Sequence, residues 1–321
     1  MGMNLLDPAG PVVIPEIRPP GRPRSIPAGG PAPRADSGAR GGHVAPEPAA
    51  RLDPRLYQIA VLSLLLAYGM LWLDLGIDPR QALSILTAAL LTQLGGTVLG
   101  GLSRFDPKSA LISGLSLCLL LRTNDPWLAV IAAAVAVGSK FVLRVRGKHV
   151  FNPTNIALVA MMLATGQVWV SPGQWGSVAV FAFLLASAGG LVVNRAGRAD
   201  VTYTFLAGYV VLLVGRSLWL GDPLSIPIHR LENGALVLFA FFMISDPRTT
   251  PDSRAGRMLF AVMVAGGAYL VQFALFRPNA LLWSLAGCSL AVPLIDRFLP
   301  GARHQWRAAL IPEAGQERTT P

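Results

Sequence analysis

Apolar residues fall in long uninterrupted runs, without the period-2 alternation of a half-buried strand. Ten such segments lie between residues 55 and 298, at about 55–75, 80–101, 109–122, 126–144, 153–168, 174–194, 201–220, 231–245, 256–276 and 279–298. Runs of about 18 or more apolar residues mark transmembrane helices. The pattern predicts an all-α, polytopic membrane protein with about ten transmembrane helices. The third, fifth and eighth segments are only about 14 to 16 residues long. At 1.5 Å per residue they barely cross a ~30 Å hydrocarbon core. Each has Gly, Pro or Asn at or near its start: Ser113-Gly114, Asn152-Pro153 and Asn233-Gly234. Short or interrupted spans surround buried sites in membrane proteins, because their exposed helix ends need polar partners. Imprecise boundaries would give the same lengths.

The composition agrees. Of 321 residues, 53% are hydrophobic and 14% charged, against roughly 25% charged in a soluble domain. Mean hydropathy is +0.52. The net charge of +10 does not point to nucleic acid, since the basic residues lie between apolar runs or in the N-terminal tail. No zinc spacing, basic helix or aromatic-studded basic patch is present. Cys118 and Cys288 fall inside apolar runs and read as small hydrophobes, not as a disulfide or metal site. His43, His149, His229 and His304 are scattered without metal-ligand spacing.

Residues 1–50 hold 11 Pro and 8 Gly with almost no apolar run. Such a segment buries too little surface to offset its ordering entropy, so a disordered tail is expected there. It lacks the apolar region of a signal peptide. A polar tail is expected over 300–321. With the N-terminus cytoplasmic, the loops on that side hold sixteen Lys and Arg, from Arg51 to Arg307, and the outer flanks hold five. This positive-inside bias predicts cytoplasmic N- and C-termini in the cell's inner (plasma) membrane.

The transmembrane region, 55–298, shows signs of duplication. Ser113-Gly114-Leu115 is followed by Asp125-Pro126, and Asn233-Gly234-Ala235 by Asp246-Pro247. Asn152-Pro153 opens the fifth segment and Pro278-Asn279 the tenth. Halves at 55–168 and 174–298 would hold five helices each. Five is odd, so the second half would be inverted relative to the first, a common build for proteins that move ions or solutes.

Two constellations could carry chemistry. Phe151-Asn152-Pro153-Thr154-Asn155 follows a basic loop. Asn152 suits an N-cap and Pro153 a first helical position. Asn155 would face the bundle one turn in, so two amides at a helix N-terminus could hold an anion or a polar ring. The second is Ser245-Asp246-Pro247-Arg248-Thr249-Thr250-Pro251, followed by Arg254 and Arg257. It also reads as a Pro-stiffened turn capped by Asp246.

The stretch Asn233-Gly234-Ala235, Phe241 to Thr249 and Gly256-Arg257 resembles the signature of one family. That family is the large membrane subunit shared by the Na⁺-translocating NADH:quinone reductase, where it is called NqrB, and the Rnf electron-transport complex, where it is called RnfD. Ser109 to Leu115, Lys140 with Phe151-Asn152-Pro153, and Val292 to Arg297 are similar in the same order, over about residues 100–300. The resemblance implies a ten-helix protein that passes electrons through flavins and couples this to ion movement. The chemistry would be the cofactor's, with the protein supplying position and electrostatics. It implies cofactor-binding roles for Ser113, Gly114, Lys140, Asn152, Pro153, Asn155, Asn233, Gly234, Asp246, Arg248 and Thr249. No catalytic or metal-ligating residue is implied.

The sequence departs from the family where a flavin phosphate is carried on threonine. Residues 166–175 are short and uncharged, Thr165 is the sole nearby threonine after alanine, and no acidic residue precedes it. Asn233-Gly234-Ala235-Leu236 replaces the family's Ser-Gly-Ala-Thr. Covalent FMN is therefore not expected, with Thr165 its only weak candidate, and a non-covalent flavin (FMN or riboflavin) is the expected cofactor. These departures resemble a branch found beside biosynthetic genes, including enediyne clusters. The implied partners are the lipid bilayer and other membrane redox subunits, not nucleic acid. Alternative readings are a transporter or channel on the same repeat, a membrane anchor for a partner enzyme, or an enediyne-type membrane protein without redox activity.

Overall fold

The computed structural model describes residues 53–72, 76–101, 104–170, 188–194 and 196–304. The expected tails at 1–50 and beyond 304, most of the sixth apolar segment and residues 171–175 lie outside the described residues. Helices α1 (Pro54–Leu71), α2 (Pro79–Leu99), α3 (Pro107–Leu120), α4 (Pro126–Val142) and α5 (Pro153–Thr165) follow the first five apolar segments. All five open alike, with Asp53, Asp78, Asp106, Asp125 or Asn152 as N-cap and proline next. The side-chain oxygen accepts an orphan backbone N–H, and proline at the first position loses no hydrogen bond. This local punctuation, invisible to hydropathy, sets the helix starts.

The second half runs through a helical stretch at 188–194, then α6 (Ala199–Leu220), α7 (Ser225–Leu231) and α8 (Gly234–Leu238). α8 continues as a π-helical turn over Phe239–Met243. α9 (Arg254–Phe273), α10 (Ala280–Ser289) and α11 (Val292–Phe298) complete it. Among the described residues, four short strands make two antiparallel ladders: β1 (Leu121–Thr123) with β4 (Val168–Val170), and β2 (Arg144–Val145) with β3 (Lys148–His149).

The chain is an all-α polytopic membrane protein. Among the described residues, four helices, α1, α2, α6 and α9, are long and apolar enough to cross a membrane. The count is six if α7 with α8 and its π turn, bent by 52°, and α10 with α11, bent by 49°, each make one span. α3, α4 and α5 have 14, 17 and 13 residues, or about 21, 26 and 20 Å at 1.5 Å per residue. Among the described residues the chain therefore does not present ten full-length spans. α3 and α5 stop short and end in strands that pair with each other, Leu121 opposite Val170. That pairing satisfies backbone groups which a half-length helix would leave bare at membrane depth.

Packing depends on small residues. Ala129, Ala132, Ala133 and Ala136 of α4 are all fully buried. Their i, i+3, i+4, i+7 spacing makes one smooth stripe, which lets α2 and α5 approach closely. Lys140 lies one turn further along the same face, so the packing of α4 buries it. In the first half the second helix packs on the fourth, and the fourth on the fifth. In the second half α6 packs on α9, and α9 on α10. Large apolar side chains such as Leu64, Leu91, Trp127, Val211 and Leu218 cover the outer surface, as expected where the solvent is lipid.

One end of the bundle is tied by ion pairs. Arg55 joins Asp53 at the start of α1 to Asp106 at the start of α3, and Lys108 reaches Asp53 at 2.9 Å. Lys148 on β3 bridges Asp252 at 3.0 Å and Asp296 of α11 at 2.7 Å. Arg303 donates to the Arg146 carbonyl at 2.7 Å. The basic loops assigned to one side of the membrane thus meet at one end of the fold.

Candidate functional site

A cavity of about 190 Å³ lies at this basic end, between α2, α3, α4, the start of α5 and the loop after the π turn. Lys140 enters from α4 with only 4% exposure. Its Nζ donates to the Ser109 carbonyl at 2.8 Å and to Ser109 Oγ at 3.0 Å, compensating part of the cost of burying a charge. The β2–β3 hairpin then folds back over the site. Its two turn residues, Arg146 and Gly147, have φ of 53° and 77°, as a tight hairpin turn matching the strand twist requires.

That turn carries His149 inward. Nη1 of Arg248 lies 3.5 Å from His149 Nε2. A guanidinium can only donate, so this nitrogen holds a lone pair and the ring is neutral. Burial, followed by the charges of Arg248, Arg144 and Lys140, pushes the imidazole pKa down to about 3.

Asn152 couples the two halves. As the N-cap of α5 its Oδ1 accepts from the Asn155 backbone at 3.1 Å. Its Nδ2 donates to the Met243 carbonyl at 3.3 Å and faces Asp246 Oδ2 at 3.5 Å. The Met243 carbonyl is available there because the π turn, closed by Ile244 N–H to Phe239 O at 3.0 Å, ends the helix. An inserted residue rotates the side chains after it, and such turns recur at functional sites. Here it presents Phe241, Phe242 and Met243 to the cavity.

Asp246 Oδ1 accepts from the Arg248 backbone at 3.0 Å. Burial raises its carboxyl pKa, against the opposing pull of the Arg248 N–H and of the Arg248, Lys140 and Arg198 charges. The Asp246 carbonyl accepts from the backbones of Thr249 and Thr250 at 3.2 and 3.1 Å, and from both hydroxyls.

Of the residues expected at the site, Ser113, Lys140, Asn152, Pro153, Asp246 and Arg248 line this one cavity. The others stand elsewhere. Gly114 packs against α2, where a Cβ would lie 3.0 Å from Leu86 Cδ2. Asn155 is fully buried and donates to the Leu282 carbonyl of α10 at 3.2 Å. Thr249 holds the loop after Asp246. Asn233 caps α8, accepting from Ala235 N at 2.8 Å, with Gly234 beside it, and neither lines the cavity. Thr165 closes the opposite end of α5, donating to Met161 O at 2.8 Å and accepting from Gln167 N at 3.1 Å.

The cavity also draws in residues that the motifs did not single out: Arg55, Gln93, Arg104, Asp106, Arg144 and His149. Along the chain most of these read only as topology charges. Gln93 did carry a signal, as an amide inside the otherwise apolar α2. It is 8% exposed, and its Oε1 is buried with no hydrogen-bond partner among the described residues.

The fold and the cavity define a polytopic α-helical membrane protein whose polar, cation-rich site is assembled from both halves of the chain. Residues 164–304 match the NQR2, RnfD, RnfE family. That match takes in less than half of the chain, which is similar to the family over that stretch. It is 27% identical over 136 residues to the D subunit of the ion-translocating oxidoreductase complex of Tolumonas auensis, covering 36% of this chain and 39% of that protein. The corresponding D subunit of Pseudomonas paraeruginosa is 26% identical over 250 residues, or 59% of this chain and 72% of that protein. The one from Stutzerimonas stutzeri is 24% identical over 267 residues, or 61% and 75%. The chain spans less than half the length of several relatives it matches, the Tolumonas protein among them.

Proposed function

We propose that the chain is the membrane-embedded subunit of a redox-driven, ion-translocating complex and holds a flavin, FMN or riboflavin, non-covalently in the basic cavity. One observation carries this reading: Lys140, Asn152-Pro153 and Asp246-Pro247-Arg248, the motifs through which the chain resembles the family, line a single cavity. The relatives' description as subunits of an ion-translocating oxidoreductase complex supports electron transport, with other membrane redox subunits and the bilayer as partners.

The residues present suit such a group. Gln93, whose Oε1 is unpartnered among the described residues, would accept a ring N–H, Asn152 would fix a polar edge, and Phe241 and Phe242 would form an apolar wall. A bound flavin would supply one- and two-electron transfer. The protein would bind it, exclude water and set the local charge, acting within a complex and not as a stand-alone catalyst. Thr165 is bonded into its own helix end, which favours a non-covalent over a covalent flavin. The excess of basic residues at the cavity end favours a cytoplasmic cavity with both termini on that side, in the inner membrane. A reporter fused after Pro321 then reads cytoplasmic, and a periplasmic signal overturns this orientation.

A second reading, a transporter or channel without redox activity (the enediyne-type branch included), draws support from α3 and α5. Half-length helices that meet in extended backbone resemble the discontinuous spans at transporter sites. The visible spectrum of the detergent-purified chain, before and after acid precipitation, separates the readings. Flavin absorption that leaves with the supernatant is expected. Colour kept in the pellet overturns non-covalent binding. A colourless protein that takes up no added flavin favours transport.

A further inference from the structure

The charges around the cavity are unequal. Five cationic side chains line it, Arg55, Arg104, Lys140, Arg144 and Arg248, against the two carboxylates Asp106 and Asp246. Some cations at this end are matched: Arg55 holds Asp53 and Asp106, Lys148 holds Asp252 and Asp296, and Arg257 holds Asp200, while Arg198 and Arg303 donate to backbone carbonyls. Arg104, Lys140, Arg144 and Arg248 make no ion pair among the described residues, although carboxylates are near. Asp246 is turned to its own backbone and to Asn152.

Like charges brought together without counter-ions repel; Lys140 is buried, and Arg104, Arg144 and Arg248 stand exposed at the cavity's rim. His149, set among three of these cations, stays neutral. The cavity also meets the first turn of α5, with Asn152, Pro153 and Thr154 in its wall, where the helix dipole adds positive potential. In the cavity wall the buried Gln93 Oε1 lacks a donor among the described residues.

We infer that this cavity binds a phosphate monoester, its anionic group held by Lys140, Arg144 and Arg248 beside the α5 N-terminus, with an N–H or O–H of the same molecule meeting Gln93. The inference rests on the flavin reading of the same cavity and deepens it: of the two flavins considered, it selects the phosphorylated one. A guanidinium offers paired donors to phosphate oxygens, and Lys140 adds a point charge from within the wall. A cavity of about 190 Å³ falls short of the ~300 Å³ at which pockets enclose whole drug-sized ligands. It therefore takes the polar part of the ligand and leaves the remainder toward the open side. A phosphatidic acid headgroup carries the same monoester, so the two sources need separate arms.

The test uses the full chain in detergent, stripped of lipid, at low salt. FMN and riboflavin, which differ only by the phosphate, are titrated while flavin fluorescence is followed. FMN is expected to bind at least about tenfold tighter, as one or two charge-assisted hydrogen bonds allow. The preference should shrink with added salt or inorganic phosphate. Arg248→Gln and Arg144→Gln change exposed side chains, so the fold is kept, and each should bring FMN affinity toward that of riboflavin. Equal affinities for the two flavins, insensitive to these variants, overturn the phosphate inference and leave the flavin reading standing. If neither flavin binds, the flavin reading fails. The phosphate inference then survives only if phosphatidic acid, added in nanodiscs, raises the melting temperature of the wild type but not of Arg248→Gln. No response to any of the three ligands overturns both.

Discussion

Asn152→Ala tests the link between a helix cap and the cavity. The change removes the cap on Asn155 N at 3.1 Å, worth about 1 kcal/mol. It also removes the donation to Met243 O at 3.3 Å and the longer approach to Asp246 at 3.5 Å, together about 1 kcal/mol since both are long. The expected loss is about 2 kcal/mol, or a fall in melting temperature of roughly 4–8 °C for a domain of this size. Asn152→Ser separates the parts, because serine keeps a capping oxygen but cannot reach the second half. It should lose about half as much. The seven tryptophans of the chain allow a fluorescence melt in detergent, with the variants ranked side by side. Equal melting of wild type and Asn152→Ala refutes the reasoning outright. A serine variant as unstable as alanine assigns the whole effect to the contact between halves and none to the cap.

Other variants address other parts of the fold. His149 falls from an ordinary 6.5 to about 3 in the folded chain, so the unfolded chain binds its proton first as pH drops. The neutral ring thus favours folding above pH 6.5, and that contribution is lost progressively between 6.5 and about 3. Melting temperatures should fall from about pH 7 to about pH 5. His149→Gln should flatten that slope, and an unchanged slope would contradict the assignment. Lys148→Met leaves Asp252 and Asp296 facing each other without their cation and should cost roughly 2 kcal/mol, discounted for partial exposure. Asp296→Asn in the same chain should recover part of the loss in chemical denaturation. Gly267→Ala drives a Cβ into Ser284 Oγ, where α9 and α10 meet. The protein should lose stability by about 1–3 kcal/mol, with partial rescue by Ser284→Ala. No rescue would mean that the backbone, not the hydroxyl, is the obstacle.

Some features of this protein are settled locally. Whether a segment enters the bilayer depends on its apolar length. Where a helix starts depends on whether the next residues can satisfy its free N–H groups. Hydropathy and the Asp-Pro or Asn-Pro pairs at 53, 78, 106, 125 and 152 therefore mark the apolar segments and most helix starts of the first half. The family motifs were readable for the same reason, as contiguous runs. Helix lengths were not. α3 and α5 end early because β1 and β4 pair across 47 residues (Arg122 opposite Trp169), and α8 changes to a π turn where Asn152, 91 residues away, donates to the Met243 carbonyl.

The cavity is likewise a tertiary product. Arg104, Arg144 and Arg248 look like ordinary topology charges along the chain, and Gln93 like an isolated polar residue. Only packing brings them around one space and leaves four cations without carboxylate partners among the described residues. Packing also sends Asn233, Gly234 and Thr165 away from it. The physical reason is range. Burial length and capping act within a few residues, whereas charge balance depends on groups far apart in sequence and a few ångströms apart in space.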